Sequence, residues 1–390
     1  MTDFSEADEV LRDAAQSGEV PGVVAMAATS EGPVYAGAFG RRALPAGPDM
    51  TADSVFWIAS MTKALTSAAA MQLVEQGKLG LDSPIREVLP ELESPQVLEG
   101  FDEAGEPILR PAKRPITLRH LLTHTAGFGY DTWSPDLVRY QEKFGIPRVT
   151  SCQNVALTTP LLFDPGDRWD YGINIDWAGK AVERLSGQDL ESYFRENLFG
   201  PLGMSDTGFK LSDDRRARLV GMHARQEDGA LEPIAFEIPQ EPEFHMGGGG
   251  LYGTAGDYLK FQQMILNEGI LGGAQVLKPD TVTLMSQNHI GDIEVQRLKT
   301  ARPPYSNDAE FFPGMVKKWG LGFMINTEAA PGGGRSANSL TWAGLGNTYF
   351  WIDPESDVAG VIMTQLVPFA DQKVLDLYGS FERAIYEALE

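Results

Sequence analysis

Ser60 and Lys63 stand three residues apart in Trp57-Ile58-Ala59-Ser60-Met61-Thr62-Lys63. The stretch reads as the end of a buried strand or turn that runs into a helix through Leu73. On a helix a residue at i+3 returns to nearly the same face, so Ser60 Oγ and Lys63 Nζ can meet. A serine hydroxyl is a poor nucleophile until a base takes its proton. A lysine becomes such a base when burial and a nearby positive dipole lower its pKa. A helix N-terminus supplies that dipole and aims the Ser60 N–H at a developing oxyanion. Taken alone, Ser-x-x-Lys is a common tetrapeptide, read as a capping serine and a solvated lysine. Here Ser60 is the one serine followed three residues on by lysine, and Phe56, Trp57, Ile58 and Ala59 make its surroundings apolar.

Other residues with chemical potential are weaker candidates. His120 and His124 have a helical metal-ligand spacing, but a zinc-peptidase pattern needs Glu after the first His and Leu121 stands there. A helix end closed by Thr125-Ala126-Gly127 is the better reading, and no metal site is expected. Gly247-Gly248-Gly249-Gly250-Leu251-Tyr252-Gly253 formally contains a dinucleotide glycine pattern. It lacks the preceding strand and the following acidic residue, so close packing of a helix against a sheet explains it better. Cys152 is the single cysteine, which excludes an intrachain disulfide, and it reads as incidental. A formal net charge of −22 over 390 residues repels phosphate backbones and argues against nucleic-acid binding. No apolar run reaches membrane-span length, and the first residues lack a signal-peptide pattern, so a cytoplasmic location is expected.

The elements that position these residues follow from periodicity. Residues 4–17 read as an amphipathic helix. Residues 23–28 and 33–40 read as two strands with a turn at 30–32. The nucleophile helix ends near Gly77. Residues 86–116 and 290–317 read as irregular, and 131–244 as largely helical with long loops. Tyr171 lies just before a helix. A further helix is expected over 255–268, three strands over 319–325, 339–353 and 358–364, and a last helix from about 371. The fold class is therefore α/β, in the α+β sense: an antiparallel sheet built from both chain ends and flanked by helices. Residues 1–85 and 245–390 form the α/β domain, and 86–244 a mainly helical insertion.

Several motifs occur in an order that resembles the serine β-lactamase-like hydrolases. They are Ser60-Met61-Thr62-Lys63, Leu121-Leu122-Thr123-His124-Thr125-Ala126-Gly127, Pro165-Gly166 with Tyr171, Gly247 to Asp257, and Trp342-Ala343-Gly344. That group includes class C β-lactamases, D-alanyl-D-alanine carboxypeptidases, family VIII carboxylesterases and lovastatin-type acyltransferases. The resemblance spans about residues 15–385 and implies an active site between the two domains. It implies Ser60 as nucleophile, Lys63 as proton partner and Tyr171 as the tyrosine acting with that lysine as general base, with a tyrosinate beside a lysine cation. It implies an oxyanion hole from the N–H groups of Ser60 and Leu345.

Departures from the pattern point to a branch. Lactamases of the group carry Asn two residues after the tyrosine; here Ile173 stands there, and Asn174 is one place too far. Trp342 replaces the third-motif lysine. Both changes exchange polar recognition for apolar bulk. Tyr130, Asp176, Trp342 and Gly344 are the candidates for substrate binding. The resemblance is nearest to family VIII carboxylesterases, and implies a serine esterase that cleaves small apolar esters through an acyl-enzyme, with no metal or organic cofactor. Alternatives are a β-lactamase or D-amino-acid peptidase, a lovastatin-type acyltransferase, and a non-catalytic binding module. The partner is expected to be a small-molecule ester.

Overall fold

The computed structural model describes residues 2–390, and its centre is one seven-stranded antiparallel sheet. The strands lie in the spatial order Lys317–Trp319, Met324–Asn326, Leu340–Gly344, Thr348–Asp353, Val358–Met363, Gly22–Thr29 and Gly32–Gly40. Both chain ends build it, with Val24 paired to Met363 and Ala27 to Gly360. The stretch 319–325, expected as one strand, turns back at Gly320–Gly322 to give two short ones, Trp319 pairing with Met324.

Adjacent residues on a strand point to opposite faces, and here both faces are covered. The Trp351 ring meets Tyr378, Phe381 and Tyr386 of the C-terminal helix Gln372–Leu389. The Phe350 ring meets Tyr258 of the helix Ala255–Leu266 on the other side. Double coverage explains why the strands Thr348–Asp353 and Val358–Met363 are buried at every position and read as continuous apolar runs. Below the sheet edge, Arg335 is buried and held by Glu382, with Arg335 Nε 2.9 Å from Glu382 Oε1 and Nη2 2.5 Å from Oε2. That pair ties the C-terminal helix to the loop before the central strands.

Residues 86–244 contribute no strand to this sheet. They carry the helices Pro135–Phe144 and Asn174–Ser186 and several shorter ones. The stretch 86–116 is not irregular: Gln96–Phe101 and Pro107–Pro111 pair as a hairpin. Its prolines sit at the ends of the second strand, where a missing donor costs least, so they masked the strand without preventing it. Short strands at His223–Arg225 and Leu231–Pro233 also interrupt the expected helical run. The helix Thr62–Glu75 that follows Ser60 is buried from Thr62 to Leu73, as its all-round small and apolar sequence requires.

Candidate active site

Ser60 sits on a single 3-10 turn, Ala59–Met61, between the short strand Phe56–Trp57 and the helix Thr62–Glu75. Ala59 has φ +45, a left-handed conformation that non-glycine residues rarely hold. Neither the Ser60 nor the Leu345 N–H donates to another protein group among the described residues. Gly344 lets the two approach: a Cβ there would lie 2.4 Å from the Ile58 carbonyl oxygen and 3.2 Å from Ala59 Cβ. A side chain at 344 would push the strand end, and Leu345 with it, off the serine turn.

Lys63 is 1 % exposed. Its Nζ lies 3.0 Å from Ser60 Oγ, 3.1 Å from Tyr130 Oη and 2.5 Å from the Gly248 carbonyl oxygen. Burial pushes its pKa down to about 7, against the opposing charge of Asp176. A neutral amine has two N–H donors and one lone pair. Donation to Gly248 and Tyr130 leaves that lone pair for the serine proton. Burial raises the Tyr130 and Tyr171 phenols, which works against a tyrosinate here. For Tyr171 the Ser60 and Trp342 side chains beside it pull the other way.

The predicted residues divide into two layers. Ser60, Tyr130 and Leu345 line a narrow cleft of about 50 Å³, together with Trp57, Trp133 and Arg148. Tyr171, Asp176, Trp342 and Gly344 are buried behind it. Trp342 is therefore not a pocket wall: its indole N–H donates to Tyr171 Oη at 2.8 Å, and its ring packs among Trp169, Phe311 and Trp319. Asp176 is fully buried and accepts the Gly248 N–H at 2.8 Å. It reaches Lys63 through its charge rather than reaching a substrate. A Cβ on Gly248 would meet Asp176 Oδ2 at 2.5 Å. The glycines at 247 and 248 thus admit the helices of Lys63 and Asp176, not a helix packed on a sheet.

Tyr171 sits with its ring centroid 4.7 Å from Lys63 Nζ, and the hydroxyl in hydrogen-bond contact with that amine is Tyr130. No local spacing marks Tyr130 for this place, because it lies 67 residues from Lys63 in the chain. The Asn174 amide points inward, donating to the Phe128 carbonyl at 3.3 Å and lying 3.0 Å from His124 Nδ1. It is out of reach of the cleft, as its offset predicts. His120 caps the helix Leu118–Leu122 and His124 lies beyond that helix, so the two do not share a face. Cys152 is buried, not merely placed among polar neighbours.

A larger cavity of about 710 Å³ lies among residues 91–184, floored by Phe128 and Trp177. It holds none of Ser60, Lys63, Tyr130 or Tyr171. Chemistry, not size, therefore selects the narrow cleft.

Residues 7–382 match the family model described as Beta-lactamase. A monacolin J acid methylbutanoyltransferase from Aspergillus terreus is 36% identical over 97% of this chain and 94% of its own. A lovastatin esterase from Penicillium rubens is 34% identical, covering 97% of both chains. The solved structure of a simvastatin synthase mutant from Aspergillus terreus superposes with a TM-score of 0.85 at 34% identity, over 98% of this chain and 96% of that one. With Lys63 in reach of Ser60, Tyr130 and the Tyr171 ring on this fold, and with the family model matched over nearly its whole length, the chain belongs to the beta-lactamase family.

Proposed function

We propose that this protein is an ester-cleaving acyltransferase that works through an acyl-Ser60 intermediate. The observation that carries the reading is Lys63: a buried amine 3.0 Å from Ser60 Oγ with no carboxylate in contact. Ser60 Oγ attacks the ester carbonyl as its proton passes to Lys63 Nζ. The Ser60 and Leu345 amides hold the oxyanion, each such donor being worth about 10²–10³ in rate. Lys63, now protonated, returns the proton to the departing alkoxide, with Tyr130 and the Trp342-held Tyr171 as neutral hydroxyls beside it. A second alcohol then takes the acyl group by the reverse path. The relatives shift the balance from hydrolysis, the expected main reaction, to transfer: one is named as a methylbutanoyltransferase. Hydrolysis by water stays as the second reading, favoured by the relative named as an esterase. The cleft's small free volume supports short acyl groups. Ile173 and Trp342, in place of polar groups, count against a β-lactam substrate.

The test pairs wild type with Ser60→Ala on p-nitrophenyl butyrate, with and without a high concentration of a small alcohol. Intact-mass measurement should find a butyryl adduct that the variant lacks. Product analysis should find the alcohol's ester in excess of butyric acid. Acid as the sole product at high alcohol would reverse the order of the two readings. An undiminished rate in Ser60→Ala would overturn both.

A further inference from the structure

Three cavities lie in a row at the Ser60 cleft. Tyr130, Asp131 and Val149 line the cleft itself, which has about 50 Å³ of free volume. The same three residues line a second void of about 10 Å³, whose other walls include Leu137, Ala156 and Ile173. Thr159 lines that void too, and it also lines the cavity of about 710 Å³ floored by Phe128 and Trp177. Cleft and void thus share one wall, and void and cavity share another. Leu137, Ala156 and Ile173 are each at most 3 % exposed, so this side of the cleft leads inward.

The residues of the first wall differ in what holds them. Tyr130 Oη lies 3.1 Å from Lys63 Nζ. Asp131 Oδ2 lies 2.8 Å from both Arg148 Nε and Arg302 Nε. Val149 has no such polar task. It is buried on the 3-10 turn Val149–Ser151, where the Cys152 N–H donates to its carbonyl at 2.9 Å. A β-branched side chain is stiff, so Val149 is a fixed block of bulk between cleft and void. Gln141 Oε1 and Thr159 Oγ1, also on the void, have no hydrogen-bond partner among the described residues. The void is therefore partly polar, and filling it gains less than filling a dry hydrocarbon pocket.

An acyl-enzyme treats the two halves of its ester unequally. The acyl group stays on the serine through both half-reactions, while one alcohol leaves and the next enters. An enclosed inner end suits the group that stays, and the open mouth suits the groups that pass. We infer that Val149 is the specificity-determining residue for acyl-chain length: it closes the Ser60 cleft against the void, and Thr159 is a second wall before the large cavity. The inference rests on the acyl-Ser60 reading above and adds where the acyl chain must end.

The measurement is kcat/KM along p-nitrophenyl acetate, butyrate, hexanoate and octanoate, which share one leaving group. Val149→Ala should raise the hexanoate-to-butyrate ratio about tenfold, since each methylene moved out of water is worth about fourfold. Adding Thr159→Ala should carry the gain on to octanoate. Thr159→Ala alone should leave the series as in wild type, because Val149 still closes the cleft. Val149→Ile keeps the wall filled and should lower the butyrate-to-acetate ratio, so the inference does not hang on the trimmed variant folding. A merely structural Val149 would scale all the esters alike. An unmoved series in both Val149 variants, or an equal shift in Thr159→Ala alone, overturns the inference. So does a Val149→Ala gain that runs instead along acetate esters of lengthening alcohols, which would put the void on the alcohol side. Intact mass after each ester separates this from the reading beneath it. If wild type carries no acyl adduct that Ser60→Ala lacks, the acyl-Ser60 reading fails; if adducts form and the series stays put, only the Val149 assignment fails.

Discussion

Two cations are buried in this molecule to the same degree, and they have opposite surroundings. Lys63 and Arg335 are each 1 % exposed. Arg335 meets Glu382 through two nitrogens and Tyr378 Oη through a third contact at 2.5 Å. Burial works against its charge but is outweighed by Glu382 and Tyr378, so the guanidinium stays firmly protonated. Lys63 is given two hydroxyls and a carbonyl instead, and burial lowers its pKa. A buried charge paired with a carboxylate is a structural tie; a buried charge offered only neutral partners is poised to lose its proton. The same desolvation serves anchoring in one place and reactivity in the other, and the partner decides which.

Substitutions should separate the two. Lys63→Ala is expected to reduce ester turnover by about 10⁴ or more, with the fold retained, because it removes the base proposed for Ser60. A circular-dichroism melt alongside the assay checks both halves. Glu382→Gln should do the reverse. Leaving Arg335 buried without a counter-charge costs about 3–5 kcal/mol in a denaturant titration, while folded variant should keep its Ser60 labelling rate. Loss of labelling without loss of stability in that variant would dissolve the contrast.

The tyrosines give a smaller effect and sharpen the assignment at Lys63. Tyr171→Phe leaves the Trp342 N–H without its acceptor and removes a hydroxyl beside Ser60; about a 10²-fold loss in kcat is expected. Tyr130→Phe removes a direct hydrogen bond to Lys63, and about a tenfold loss is expected. Equal, negligible effects of both changes would leave Lys63 acting alone.

The pH dependence is the finest test. Lys63 acts as a base only when neutral, so kcat/KM should rise with pH through a midpoint near 7. Asp176 holds that pKa up, and Asp176→Asn should move the rising limb to lower pH. The same shift has a stability sign. Between about 7 and 10.5 the unfolded chain binds a proton at Lys63 that the folded chain has released, so stability should increase with pH across that window. Lys63→Met should flatten this rise.

Much of the site was legible because its parts are local. Ser60 and Lys63 sit within one turn, and their apolar flanks announced burial. The offset of Asn174 from Tyr171 foretold that its amide would miss the cleft. The sheet was legible in the alternating and continuous apolar runs at both chain ends. The hairpin at 96–111 was not, since Pro107 and Pro111 carry a turn signal that strand ends also tolerate. Trp342 was misplaced for a similar reason: a large apolar residue at a motif position reads as a wall, and nothing in its neighbours shows that its N–H is spent on Tyr171.

The sequence by itself picked out Ser60 and Lys63 as a candidate pair, because residue type at short spacing on a helix leaves little freedom, and the order of its motifs along the chain pointed to the family. Only the tertiary structure decided which tyrosine touches Lys63, that Asp176 accepts the Gly248 N–H behind the cleft, and that Arg148 and Arg302 both meet Asp131. Those contacts join residues tens to hundreds of positions apart. Their distances are set by how the sheet, the serine helix and the inserted segment pack, and no local spacing encodes that.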